Sequence, residues 1–189
     1  IRDTYNKPGN VFCGLVHRLD RPTSGIVVFA KTSKALSRMN KTFEKREVRK
    51  IYYAIVQEKP NPAEGRLVHY LKKEAKNNKS YPRPASDQNA KKAELTYKLI
   101  ADSQRYFLVE VELHTGRHHQ IRAQLAAIGC PIKGDLKYGF ARSNHDASIS
   151  LHAGRIQFEH PVGGEPIDIV AANPGEDAIW RIFNPKITA

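Results

Sequence analysis

The order of its β-type and helical stretches constrains this chain more than any single motif does. Short runs rich in β-branched and aromatic residues occur at 11–16, 26–30, 51–56, 95–100 and 107–113. In the last of these, Phe107, Val109, Val111 and Leu113 alternate with Leu108, Glu110 and Glu112, the two-residue period of a half-exposed strand. Two stretches have helical spacing. Thr32 and Ser33 can cap the first, in which Leu36, Met39 and Phe43 recur while Lys34, Arg38, Lys41 and Lys45 fill other faces. The second runs from near Gly116 to Ile128, presents Ile121, Leu125 and Ile128 to a core, and ends at Gly129 and Pro131. Late strands at 156–160 and 167–170 flank the turn Pro161-Val162-Gly163-Gly164. Strands in this order do not alternate regularly with helices. The expected class is therefore α+β: a mixed, mainly antiparallel central sheet with flanking helices. The chain has 189 residues, enough for one domain with a substantial core, and no internal repeat or linker divides it.

Charge narrows the partners. Against 31 lysines and arginines stand 19 acidic residues, a formal net charge of +12. Such an excess favours polyanions, because bound phosphates release their counterions, although a soluble protein can simply be basic. Residues 72–92 hold seven basic and two acidic residues and almost nothing large and apolar. They read as an exposed connection, equally suited to a solvated loop and to RNA contact. No apolar run approaches the ~18 residues of a membrane span, and no charged-then-apolar leader opens the chain. Cys13 and Cys130 lie far apart and form no CxxC motif, so reduced, buried thiols are expected rather than a disulfide or a zinc site. These features fit a cytoplasmic protein.

Three places carry chemistry. Asp20 stands between Arg18 and Arg21 on the connection after the first apolar run. An aspartate before Arg-Pro-Thr can merely start a turn. A carboxylate kept ionised by guanidinium groups can equally act as nucleophile, base or charge stabiliser. The second place, His114 to Arg122, lies at a strand-to-helix turn, where amides and cations suit a phosphate. His114 and His118 are four apart, but no third ligand stands at metal spacing and the neighbouring arginines would repel a cation, so no metal is expected. Phosphate contact or core hydrogen bonding fits Arg117, His118 and His119 better, and Arg122 is suited to a bidentate carboxylate partner. At the third place, Tyr52 and Tyr53 point to opposite faces of one strand. One belongs in the core, and the other faces outward or into a cleft where it can stack on an unpaired base. His152 and His160 read as structural.

Together these stretches resemble the pseudouridine synthases of the RluA type. His17-Arg18-Leu19-Asp20, with Thr23-Ser24-Gly25 two residues on, is similar to the family's catalytic motif. Lys50-Ile51-Tyr52-Tyr53-Ala54 resembles its lysine-x-tyrosine-x-alanine strand, and Thr115-Gly116-Arg117-His118-His119-Gln120-Ile121-Arg122 its threonine-glycine-arginine motif. Gly134-Asp135, Tyr138-Gly139, Leu151-His152-Ala153 and His160-Pro161 fit the later pattern. The resemblance spans roughly residues 11–175, and three ordered motifs are far more specific than one. It implies isomerisation of uridine to pseudouridine in ribosomal or transfer RNA, without metal or other cofactor. By the same resemblance Asp20 acts on the ribose, Tyr52 packs on the base and helps move the proton from C5, and Arg122 pairs with Asp20. A monomer acting on structured RNA is expected, with Arg18 and Arg21 holding the displaced strand. The family usually carries more chain before the motif, including a lysine-proline-glycine stretch. Asn6-Lys7-Pro8-Gly9 is too close to Asp20 to serve as that stretch, so an N-terminal portion is expected to be missing.

Two other readings compete. A non-catalytic RNA-binding module would keep the charge but would not need Asp20, Tyr52 and Arg122 together. A carboxylate-dependent glycosidase would need a second acid near Asp20. Glu44 and Glu47 sit in a strongly basic helical stretch and read as surface charges.

Overall fold

A computed structural model describes residues 2–4, 6, 8–174 and 177–187; Lys7 of the stretch at 6–9 lies outside them. Three two-residue strands open the chain: β1 (Gly14–Leu15), β2 (Ser24–Gly25) and β3 (Phe29–Ala30). Helix α1 (Ser33–Glu44) follows, then β4 (Arg49–Val56), β5 (Glu64–Glu74), β6 (Lys79–Arg83), β7 (Lys91–Asp102) and β8 (Phe107–Leu113). Next come α2 (Gln120–Ala127), a single 3₁₀ turn at Leu136–Tyr138, β9 (Leu151–Glu159), β10 (Pro166–Val170) and α3 (Ala178–Ile187). The main sheet is ordered β10-β9-β4-β8-β7-β5-β6 and antiparallel along that path. β2 lies beside β9 in parallel, so the sheet is mixed and mainly antiparallel, as expected.

β4 shows why the sheet has two cores. Residues 51–56 are all buried, because side chains alternate between two covered faces. Tyr52, Ala54 and Val56 join Leu95, Val109 and Val111 beneath Ile121 and Leu125 of α2. Ile51, Tyr53 and Ile55 point the other way, against Trp180, Phe183 and Ile187 of α3. Burial of each such side chain is worth roughly 1.5–3 kcal/mol. Both tyrosines are therefore buried, Tyr53 against α3 and Tyr52 on the face of the sheet on which α2 lies, so neither faces outward, one of the two placements expected for the second tyrosine. At the other end, α1 starts where Thr32 accepts a hydrogen bond from the Ala35 amide at 3.1 Å.

Several expectations need correction. Residues 72–92 are mostly not a loose connection: β5 and β6 pair as a hairpin, and β7 begins at Lys91. Their composition suits this position, since lysine and proline on an outer strand discourage pairing with other chains. The β-rich runs at 11–16 and 26–30 shrink to β1 and β3, which pair only with each other. The second helix starts at Gln120, after a turn, rather than near Gly116. β9 begins five residues before the expected 156, at Leu151. Cys13 is exposed and only Cys130 is buried.

Candidate active site

Asp20 does start a turn: its carbonyl accepts the Thr23 amide at 2.9 Å. The residues after Asp20 tie that turn to the sheet. Ser24 and Gly25 pair with His152 and Ala153 of β9, and the Pro22 carbonyl accepts the Ile149 amide at 3.0 Å. Gly25 has φ +115°, and a Cβ there would overlap the Ala153 carbonyl. Only glycine fits both the backbone angle and the space. Ser24 Oγ and His152 Nδ1 add a side-chain hydrogen bond of 2.9 Å across the same junction. Upstream, His17 Nε2 accepts the Val28 amide at 3.2 Å while the ring stacks on Phe43, centroids 5.2 Å apart. Burial, then the Lys50 charge, lowers the His17 pKa, which keeps the ring a neutral acceptor.

Arg122 reaches Asp20 from the opposite side. The turn before α2 is held by Gln120, whose side-chain oxygen accepts from Thr115 Oγ1 at 2.7 Å and the Arg117 amide at 2.9 Å. His119 takes φ +52° to turn the chain into the helix. One turn on, Arg122 Nη1 donates to Asp20 Oδ2 at 3.3 Å. Its stronger partner is Asp135: Nε donates to Oδ2 at 2.7 Å and Nη2 to Oδ1 at 2.8 Å. The Arg122 and Asp135 side chains are 5% and 1% exposed. Burial opposes the Arg122 charge, but the Asp135 hydrogen bonds and the charges of Asp135 and Asp20 outweigh it, so its pKa stands above the ordinary value. The expected Arg122–Asp20 pair exists, then, but as the third arm of a guanidinium anchored on Asp135.

A second chain of contacts runs through His119. Its Nε2 lies 3.8 Å from Asp20 Oδ2, and its Nδ1 is 3.0 Å from Tyr138 Oη. Tyr138 Oη accepts the Ser80 amide at 2.8 Å. We assign the phenol's proton to His119 Nδ1, which places the imidazole proton on Nε2, facing Asp20. Burial, then Arg122, pulls the His119 pKa down to about 3, so the ring is neutral near pH 7. Tyr52 forms the remaining wall. Burial, then the Asp20 charge, pushes its phenol up to about 12.

Asp20, Tyr52, His119 and Arg122 line a cleft of about 270 Å³ that also includes Arg18, Phe43, Lys50, Arg117 and Leu151. Residues 20, 52 and 122 thus meet from three distant segments. The expected RNA contacts do not all meet there. Arg18 lines the cleft, whereas Arg21 is exposed on a separate groove beside Asp146. Arg117 lines the cleft while its Nε donates to the Lys92 carbonyl at 2.9 Å. His118 is half-buried, hydrogen-bonded to Ser80 Oγ at 2.9 Å, its pKa lowered chiefly by burial. His119 lines the cleft but is buried, 8% exposed. Glu44 and Glu47 are exposed and line other grooves. Asp135 and Tyr138 are the site residues that side-chain reasoning missed; their signal was the pair Gly134-Asp135 and Tyr138-Gly139 in the later part of the family pattern. Lys50, quoted only within a motif, is a further wall residue whose pKa is lowered by burial and by Arg46.

A family model described as RNA pseudouridylate synthase matches residues 1–127. The ribosomal large subunit pseudouridine synthase D of Zymomonas mobilis is 32% identical over 169 residues, 85% of this chain and 53% of its own. The tRNA pseudouridine synthase C of Salmonella typhi is 36% identical over 182 residues, 87% of this chain and 68% of its own. The chain therefore spans about half the length of the first relative and two thirds of the second. Among solved structures, human RNA pseudouridylate synthase domain containing 4 superposes with a TM-score of 0.72, at 23% identity, over 93% of this chain and 76% of that one. Human RNA pseudouridylate synthase domain containing 1 gives 0.73 at 22% identity, over 90% and 71%. At such identities the two structures speak to the fold.

Proposed function

This chain belongs to the RNA pseudouridylate synthase family, and on that premise we propose that it converts uridine in RNA to pseudouridine with Asp20 as the reacting carboxylate. The observation that carries the reading is the convergence of Asp20, Tyr52 and Arg122 in one cleft. The relatives' names, one acting on ribosomal and one on transfer RNA, support an RNA substrate of either kind. A cytoplasmic monomer is the simplest form. No described helix is long and apolar enough to cross a membrane.

The reaction is an isomerisation. The bond from ribose C1′ to uracil N1 breaks, the base turns, and a bond from C1′ to C5 forms. The proton on C5 leaves and one is gained at N1, so composition is unchanged. A uridine within a stack hides C1′ from any carboxylate, so the base must be extruded, at a cost of a few kcal/mol that is least in a loop. Asp20 is oriented for the ribose by one Arg122 arm and faced by the His119 Nε2–H. Preorganised donors of this kind hold charge without reorganising during the reaction. With a pKa near 12, Tyr52 is a neutral phenol at pH 7 and a face on which uracil packs. It can accept the C5 proton only while giving up its own, and Asp20 is the charge that bears on it most. Arg18 and Arg117 stand at the cleft mouth as contacts for the strand flanking the extruded base. Arg21, close to Arg18 in sequence, supports a second contact around the turn. His118 and His119 act from behind, through hydrogen bonds.

The test is release of tritium from 5-tritiated uridine in ribosomal and transfer RNA. The wild-type chain releases tritium and Asp20→Asn loses at least about 10³-fold in rate, at the upper range for a proton-handling or covalent group. Absence of release by the wild type from both RNAs removes the reading.

A further inference from the structure

The net charge of +12 is unevenly engaged. On the sheet, cations meet acids: Lys92 faces Glu94 at 2.9 Å, Arg155 faces Asp168 at 2.6 Å and Lys72 faces Asp87 at 3.4 Å. Helix α1 differs. Lys34, Arg38, Lys41 and Lys45 recur at intervals of four, three and four, which at 3.6 residues per turn places them within about 60° of one another. All four are exposed, and among the described residues only Lys45 of the four has an ion-pair partner, Glu47 at 3.9 Å. Leu36, Met39 and Phe43 occupy the opposite side of the helix. A basic helix face is ordinarily just solvated, but this one borders a path to the active site.

That path is continuous. The Asp20 cleft shares Phe43, Lys50 and Arg117 with an adjoining groove of about 630 Å³. The groove in turn shares Glu47 and Arg49 with a wider one of about 900 Å³. Arg38, Lys41 and Lys45 line this outer groove, across from the His160–Gly164 turn between β9 and β10. Of the acids along the path, Glu112 accepts from Arg49 at 2.9 Å, Glu94 pairs with Lys92 and Asp168 with Arg155, while Glu44 and Glu159 are exposed and leave the basic face in the majority.

We propose that α1 is a docking rail for RNA, on which Lys34, Arg38, Lys41 and Lys45 hold the backbone phosphates of the segment that flanks the target uridine along this trough. The proposal rests on the reading of the Asp20 cleft as the site that receives that uridine. Each lysine or arginine on a phosphate steepens the fall of log affinity with log salt by about 0.7–0.9. Four of them account for about 3 of the total slope.

The experiment is binding of a fluorescein-labelled 30-nucleotide RNA stem-loop with uridines in the loop, titrated from 50 to 200 mM salt. The variants are Lys34→Gln/Arg38→Gln/Lys41→Gln/Lys45→Gln and the charge-keeping Lys34→Arg/Lys41→Arg/Lys45→Arg. Glutamine is a good helix former, and circular dichroism confirms that the helix survives. The neutral variant flattens the slope by about 3, so the affinity lost across that salt range shrinks about 60-fold, while the arginine variant keeps the wild-type slope. In parallel, tritium release by the neutral variant shows a raised KM and an unchanged kcat. An unchanged slope in the neutral variant overturns the rail. A flattened slope in a wild-type background that releases no tritium upholds the rail and removes the isomerase reading instead. Equal flattening in the arginine variant overturns it too, since that marks damage to the helix rather than loss of charge.

Discussion

Asp135→Asn tests the site at its most buried point. The change keeps shape and one acceptor but removes the charge that neutralises Arg122. Arg122 is 5% exposed and makes two of its three carboxylate bonds to Asp135, at 2.7 and 2.8 Å. Its one other carboxylate bond, of 3.3 Å, goes to Asp20, which is 27% exposed and which the proposed reaction needs free to act. Breaking a buried ion pair from one side costs about 3–5 kcal/mol, because an uncompensated charge stays in the interior. That is a fifth or more of the usual ~5–15 kcal/mol stability of a domain, and for this length it lowers Tm by on the order of 10 °C. Activity falls as well, since the freed guanidinium is drawn onto Asp20. Urea unfolding of wild type, Asp135→Asn and Arg122→Met/Asp135→Leu gives the comparison. Removing both partners in favour of apolar groups recovers most of the stability, because the desolvation cost disappears with the charges. The double variant stays inactive. A loss below about 1 kcal/mol for Asp135→Asn, or a double variant less stable than the single one, refutes the anchoring role.

Three more outcomes rest on the same geometry. Tyr52→Phe lowers the rate of tritium release by about 10²–10⁴-fold yet changes stability by under about 1 kcal/mol, because burial of the ring is retained; equal losses in both measurements contradict a chemical role. His119, with a folded-state pKa near 3 against 6.5 in the unfolded chain, gives stability that is present above pH 6.5 and lost as pH falls toward 3, because the unfolded state binds the proton first. In His119→Gln the slope of unfolding free energy between pH 6 and 4 is therefore shallower by up to about 1.4 kcal/mol per unit, and an unchanged slope in urea titrations at several pH values rules the buried neutral ring out. Gly25→Ala destabilises by at least about 2 kcal/mol, because φ +115° and the Ala153 carbonyl both exclude a Cβ; wild-type Tm and activity in that variant would show that the β2–β9 junction yields easily.

β8 is legible in the sequence because its alternation of apolar and acidic residues reports a strand with one wet face. β4 is legible as a strand by its run of β-formers, although covering both faces removes the alternation that would tell which tyrosine faces the cleft. β5 and β6 were hidden by their position. An outer hairpin is under pressure to be charged, and Lys72, Lys73, Lys79 and Pro82 look like a loop for that reason. α3 left a signal in Trp180, Phe183 and Ile187 at helical spacing, a pattern too short to fix a helix without the sheet face that it covers. For the site, Asp20, Tyr52 and Arg122 could be named from local motifs. Asp135 could not be ranked, because its importance comes from being opposite a guanidinium 13 positions away, and that is a property of folded geometry. Arg18 and Arg21 teach the converse: closeness in sequence suggested one role, and the turn at Asp20 sends them to different grooves.

The parallel junction of β2 with β9 bears on which partner deforms when the two molecules meet. Ser24 and Gly25 are stitched to a strand that is itself flanked by β4 and β10, so the turn bearing Asp20 cannot swing outward without unzipping part of the sheet. Lids and gates are built from segments that open at little cost, and this one is tied into the interior of the main sheet. Under the proposed function, the adaptation then comes from the nucleic acid: a target is chosen by how readily its own strand surrenders a base from the stack, and the cleft acts as a fixed gauge against which that willingness is measured.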